Sequence, residues 1–232
     1  MRFNRLVNAD SWKSALRELG LIVAGVLIAM WASSLHDTHE KRVREKVVLR
    51  QLLQATRENE VRARQAAFED SVVWQNSMKA IGMLHPKMPG DSLARVVSSV
   101  MWISDYHPLT GVYEALAQSG DLTLIRNDSL RFAISKYTGE VAGVMPLLRT
   151  AEARGLELFM ELTRIQSSGR VSGDDPRVAA VLSQFRMLTV VRVQQIQDWL
   201  RNPAITLRRS LEKELGETGW SPPPLRKGKT PL

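Results

Sequence analysis

Hydrophobic positions are spread unevenly along the chain. Leu19 to Leu35, LGLIVAGVLIAMWASSL, is a run of 17 residues without a charge. As a helix it spans about 25 Å, a little short of a hydrocarbon core of about 30 Å. Leu16 and the aliphatic stems of Arg17 and Glu18 extend it by snorkelling. No other run in the chain approaches it, so it predicts a single transmembrane helix. Two other readings stay open. Basic residues precede the run and Ala32-Ser33-Ser34 offers a small-x-small cleavage site, as in a signal peptide. Against this, Glu18 abuts the run, Trp31 lies beside the cut, and no Pro or Gly separates the run from the polar helix that follows. A buried core helix is the third reading, but such helices usually show an amphipathic pattern that is missing here.

From Val26 to Ile81 there is neither Gly nor Pro, and good helix formers dominate. The anchor is therefore expected to continue into a long charged helix. Val47, Val48, Leu49, Leu52 and Leu53 give it an apolar side; Ala67, Trp74, Met78 and Ile81 are expected in a core. Residues 82–90, GMLHPKMPG, break the chain. Asp91 is placed to cap a short helix with Leu93, Val96, Val97 and Val100 on one face. A second break, ISDYHPLTG, precedes a helix from about Val112 to Gln118, with Gly120 as its C-terminal cap. LTLIR (122–126) has the composition of a brief strand, though one without a partner.

The clearest periodicity follows a cap at Asn127 or Asp128. Leu130, Ile134, Tyr137, Val141, Val144, Leu148, Ala151, Gly155, Leu158, Leu162 and Ile165 keep strict 4-3 spacing. A 3.5-residue repeat implies side-by-side, coiled-coil-like packing. Pro146 interrupts it, lacks a donor for the carbonyl of Ala142, and predicts a kink over 142–146. After a loop, Asp175-Pro176 starts a helix with the stripe Val178, Val181, Leu182, Phe185, Leu188, Ile196 and Trp199. Asn202-Pro203 opens a last helix ending near Gly216. The expected fold is all-α: a transmembrane helix continuing into an antiparallel bundle of about four main helices. Its segments are a basic N-terminus and anchor (1–35), a long charged helix (36–84), a bundle domain (85–216) and a disordered Pro/Lys-rich tail (217–232).

Charge changes this picture only at the ends. The chain carries 32 Lys plus Arg against 24 Asp plus Glu, a net +8. A value this basic suggests nucleic acid or an anionic membrane. Residues 85–220 nevertheless hold sixteen basic against fifteen acidic side chains, whereas the tail holds Arg226, Lys227 and Lys229 with no acid. A nearly neutral body with basic flanks argues for a membrane as partner and against nucleic acid. Zero Cys excludes disulfides and thiolate chemistry. Four basic residues before the run and five after it do not decide orientation by the positive-inside rule. The short basic N-terminus favours a signal-anchor layout with the large domain outside. Gly25, Ala29 and Ser33 recur four apart, a spacing that permits close packing of membrane helices and a homo-oligomer.

Two segments together, RELGLIVAGVLIAMWASSLHDTHEKR and YEALAQSGDLTLIRNDSLRFAISKY, resemble an uncharacterised family of bacterial single-pass membrane proteins. The matching positions are Glu18, Gly25, Tyr113, Leu116, Ser119, Gly120, Leu122, Ile125, Asn127, Leu130 and Arg131. The resemblance implies a bacterial membrane anchor and a helical domain, and it carries no mechanism, since the family has no established activity. The residues have a structural account beside it: Ser119-Gly120 ends one helix, Leu122 and Ile125 plug a core, and Asn127 caps the next.

Candidate chemistry is sparse. His36 and His39 are three apart but lack the partners of a metal site. His85 and His107 lie in loops, and with Asp105 they make a polar cluster if the loops meet. No phosphate-binding Gly loop or nucleophile elbow appears. The expected function is a membrane-anchored interaction or sensor-like module for an unidentified protein or small molecule, without cofactor or metal. The alternative is a membrane-tethered enzyme with a metal or polar site near His85 and His107.

Overall fold

A computed structural model describes residues 9–85, 88, 90–98, 103–167 and 175–226. These residues are all-α: α1 (Ala9–Met83), α2 (Gly90–Ser98), α3 (Gly111–Ser119), α4 (Asp128–Ser167), α5 (Pro176–Ile196) and α6 (Asn202–Leu215). No strand forms among them. The 122–126 segment is instead a 3-10 turn over Asp121–Leu124, after which Ile125 is extended and fully buried. Gly120 takes φ 76° where α3 ends, a left-handed conformation that a Cβ disfavours.

By its contacts the chain falls into two units that divide between Val48 and Leu49. The first contains the apolar run, whose described large apolar side chains lie open, from Val23 at 50% exposure to Leu21 at 76%. Past the run, Thr38 donates to the carbonyl of Ser34 and Arg44 pairs with Glu40, both one helical turn apart.

The second unit is the bundle, and it includes the rest of α1. All eleven residues of the 4-3 stripe on α4 are buried, and α4 runs through Pro146 as helix. At position 155 the stripe has Gly because Ile103 sits there: a Cβ built on Gly155 would lie 2.1 Å from Cδ1 of Ile103. A second 4-3 stripe runs along α1 through Leu52, Thr56, Asn59, Ala63, Ala66, Asp70, Val73, Ser77 and Ala80, all buried. Most of its members are polar or small, so burial there depends on hydrogen bonding and close approach. The expected core positions Trp74 and Ile81 are only half-buried and Met78 is exposed, because the face that packs inward runs through Val73, Ser77 and Ala80 instead.

At one end of the bundle Val73, Ala80, Leu93, Leu158, Leu162, Val178, Leu182 and Phe185 form one apolar cluster, with Val96 and Leu188 against it. Helix α2 begins at Gly90, so Asp91 lies within it rather than before it. The side chains of Asp91 and Val97, and all of Val100, lie outside the described residues. Asp175 does cap α5, accepting from the Arg177 amide at 2.9 Å. On α5 the stripe continues through Thr189 and Arg192 to Ile196 and Leu200, whereas Trp199 is 55% exposed. A π turn over Gln197–Arg201 shifts the register here, which puts Leu200 inward and Trp199 outward.

The tail departs most from expectation. Residues 217–226 lie along α1 instead of being disordered. Trp220 stacks under the guanidinium of Arg208, 4.8 Å from the ring centroid, and the carbonyl of Pro223 accepts from Arg64 at 3.3 Å. Gln65 and the backbone of Arg226 exchange two hydrogen bonds at 2.9 and 3.1 Å. Composition alone misses this, since Pro-rich backbone needs only a few side-chain donors and one aromatic anchor to dock.

Candidate functional site

Buried polar side chains on α1 organise the bundle interior. Thr56 spends its hydroxyl hydrogen on the carbonyl of Leu52 at 2.6 Å, so the 2.7 Å contact with Tyr113 has the phenol donating to Thr56. One turn on, the Asn59 amide staples the segment before α3: its Oδ1 accepts from the Leu109 amide at 2.7 Å and its Nδ2 donates to the Leu109 carbonyl at 3.1 Å. The same Nδ2 donates to the Tyr137 hydroxyl at 3.1 Å. Arg62 adds a bond to the carbonyl of His107 at 3.1 Å. One loop and two helices are thus fixed to one face of α1.

The chain has three tyrosines, and all three are buried here. The rings of Tyr113 and Tyr137 are 5.3 Å apart and tilted by 53°, a favourable aromatic arrangement. Burial pushes the Tyr113 phenol up to about 12, against hydrogen bonds with Thr56 and Asn59 that lower it. Burial also raises Tyr137 and Tyr106, and the Tyr137 phenol feels the other two tyrosines. The Tyr106 hydroxyl has no hydrogen-bond partner among the described residues.

Beside this pair lies a cavity of about 360 Å³, enough for a small organic ligand. Asn59, Leu109, Tyr113, Tyr137, Val141 and Met145 line it, and Glu114 and Arg149 stand at exposed positions on its wall. Neither of these two charged side chains has an ion-pair or hydrogen-bond partner among the described residues. Ala142 is also in the wall, and its carbonyl lacks the usual donor because Pro146 has no N–H.

Two ionic clusters hold the bundle elsewhere. Arg192, fully buried, donates to Asp70 at 3.0 Å, to the carbonyl of Ser104 at 2.7 Å and to Glu152 at 3.2 Å. Asp70 in turn accepts from the Ser104 amide at 2.9 Å. Arg208 joins Glu60 and Glu212, each at 2.7 Å, and Arg57 reaches Glu212 at 3.0 Å. Sequence reasoning missed both; for the Arg192 cluster the signal was the polar gap between Leu188 and Ile196 in the α5 stripe.

The sequence-derived candidates fall in several places. Tyr113 is at the cavity. Ser119 and Gly120 close α3, Leu122 is half-buried, Ile125 is buried, and the Asn127 side chain accepts from the Leu130 amide at 3.1 Å. Asn127 also donates to Glu214 at 2.6 Å, tying α4 to α6. Glu18, Gly25, Ala29, Ser33, His36 and His39 are exposed in the first unit. His107 pairs with Asp105 at 2.7 Å on the surface, while His85 accepts through its carbonyl from the Met88 amide. No group of three or more His, Asp or Glu side chains among the described residues gathers to hold a metal.

Comparison with known proteins adds no relative: no protein-family model, no curated protein and no solved structure matches the chain. Among the described residues one helix is long and apolar enough to cross a membrane, and none of its apolar window is buried against protein.

Proposed function

We propose that the chain is a single-pass, membrane-anchored binding module, sensor-like in layout, with its helical bundle outside the cytoplasm of a bacterial cell. The observation that carries this reading is the open apolar run. Leu21, Ile28, Met30 and Trp31 are each about two-thirds exposed or more. A continuous apolar surface of this kind is stable in lipid and a liability in water. The bundle, by contrast, has its own core and a preformed cavity, which suits it to hold a ligand rather than to serve as a spacer. The resemblance of the anchor and Tyr113–Asn127 segments to bacterial single-pass proteins supports the anchor, and the short basic N-terminus supports the orientation.

The test is membrane fractionation with a carbonate wash, followed by protease treatment of intact spheroplasts. Full-length chain retained in washed membranes, with the bundle cleaved from outside, is the expected result. Release by carbonate sinks the anchor, and protection of the bundle sinks the orientation.

A further inference from the structure

We propose that the cavity beside Tyr113 and Tyr137 is a binding site for a small apolar zwitterion, of the class of an α-amino acid with an aromatic or branched side chain. This deepens the reading of the chain as a binding module and rests on it.

The cavity is mostly apolar, yet its polar groups come in complementary kinds. Arg149 supplies a cation and Glu114 an anion, and neither is neutralised by another side chain among the described residues. A ligand with a carboxylate for Arg149 and an ammonium for Glu114 satisfies both; a simple acid or a simple amine leaves one like charge facing it. Two further groups favour a ligand that carries hydrogen-bonding atoms. Pro146 leaves the carbonyl of Ala142 without its helical donor at the wall, where an ammonium is a suitable donor. The Tyr137 hydroxyl, on a side chain only 2% exposed, accepts from Asn59 but has no acceptor for its own hydrogen among the described residues. Tyr113, Val141 and Met145 then enclose the apolar body, with the aromatic faces suited to a ring. Volume sets the limit: about 360 Å³ is at the small end of ligand cavities, which fits one amino acid and excludes a folded peptide.

The experiment compares three molecules that share one apolar body: phenylalanine, 3-phenylpropionate and phenethylamine. Each is titrated calorimetrically into the full chain in lipid nanodiscs, with empty nanodiscs as the blank. Phenylalanine is expected to bind tightest, with Arg149→Gln and Glu114→Gln each weakening it by about tenfold, the usual worth of a charge-assisted contact. Ala142→Trp, at an exposed position, is expected to fill the cavity and abolish binding while the helical circular dichroism is unchanged. Equal binding of 3-phenylpropionate, with no effect of Glu114→Gln, overturns the zwitterion. Equal binding of phenethylamine, with no effect of Arg149→Gln, does the same. Phenylalanine binding that survives Ala142→Trp, or no binding of any of the three, overturns the site. Carbonate-resistant retention of the same chain in membranes is scored separately, so a failed site and a failed anchor are told apart.

Discussion

Arg192 donates through Nε to Oδ2 of Asp70 at 3.0 Å, across 122 positions of sequence, with both side chains wholly out of water. The pair joins α5 to α1, and the Ser104 carbonyl and hydroxyl, Glu152 and the Leu148 carbonyl accept from the other two guanidinium nitrogens. Desolvating two charges offsets most of their attraction, so the pair adds little over an apolar alternative. Breaking it is another matter. Arg192→Met leaves Asp70 charged and buried and strips the Ser104 carbonyl of a donor, and is expected to destabilise the bundle by about 3–5 kcal/mol. Arg192→Met with Asp70→Leu should recover part of that loss. Urea unfolding of the single and double variants measures both; an additive double variant contradicts the coupling.

Tyrosine ionisation gives a pH signature. Tyr113 is raised to about 12 by burial, and Tyr106 and Tyr137 are raised by burial too. In the unfolded chain each phenol titrates near its usual 10. A raised folded-state value means that the stability is fully present below pH 10 and is lost as pH rises through the folded-state value. Each buried phenol contributes a slope of about 1.4 kcal/mol per pH unit in that window. With all three tyrosines of the chain buried, the native protein is expected to show no phenolate absorbance near pH 10. The absorbance should rise steeply and together with loss of helical circular dichroism at higher pH. A separate, smooth titration near pH 10 with helix intact would show an accessible tyrosine.

Legibility from sequence tracked the chemistry of each stripe. On α4 nine of the eleven inward positions are Leu, Ile, Val or Tyr, so their 4-3 spacing is plain, and all eleven are buried. On α1 the same spacing runs through Thr56, Asn59 and Asp70, which read as solvent-facing until their partners are known. Those partners, Tyr113, Leu109, Tyr137 and Arg192, are 50 to 122 positions away. No local pattern announces such a pairing. Trp199 was misplaced for a different reason: the π turn adds a residue to the turn, and helical extrapolation runs one position out of phase beyond it. The cavity followed the same rule. Tyr113 was visible as a motif residue, whereas Asn59, Arg149 and Glu114 have no spacing that links them before the helices pack.

Gly155 tests the close approach of Ile103 to α4. Completing the apolar repeat with Gly155→Leu would read as an improvement from sequence, since it fills the one gap in the stripe. A Cβ there already meets the Cδ1 end of Ile103, so a full Leu side chain must displace Ile103 and crowd Leu188 as well. The variant is expected to lose about 1–3 kcal/mol through overpacking, outweighing the gain of about 1 kcal/mol from replacing Gly in a helix. Ile103→Ala in the same chain should relieve the clash, giving a coupling between two sites that are in contact. Thermal unfolding of both single variants and the double variant checks it, and a stabilised Gly155→Leu alone contradicts the packing.

Trp220 is the anchor that turns a Pro-rich tail into part of the bundle. Its ring faces the guanidinia of Arg208 at 4.8 Å and Arg57 at 5.6 Å, and both cations already serve the Glu60 and Glu212 carboxylates. The ring therefore shields an ion network from water, and low local dielectric strengthens every pair within it. Trp220→Ala is expected to cost about 1–2 kcal/mol, more than a single exposed cation–π contact, because the network also becomes wetter and more sensitive to salt. Removing residues 221–232 instead deletes the Arg64–Pro223 and Gln65–Arg226 bonds but keeps the ring, and should cost less. Amide hydrogen exchange reads the same relationship locally: protection of the Arg226 amide is expected in the parent chain and lost in Trp220→Ala. Equal exchange in both, with unchanged unfolding, would mean that the ring does not hold the tail.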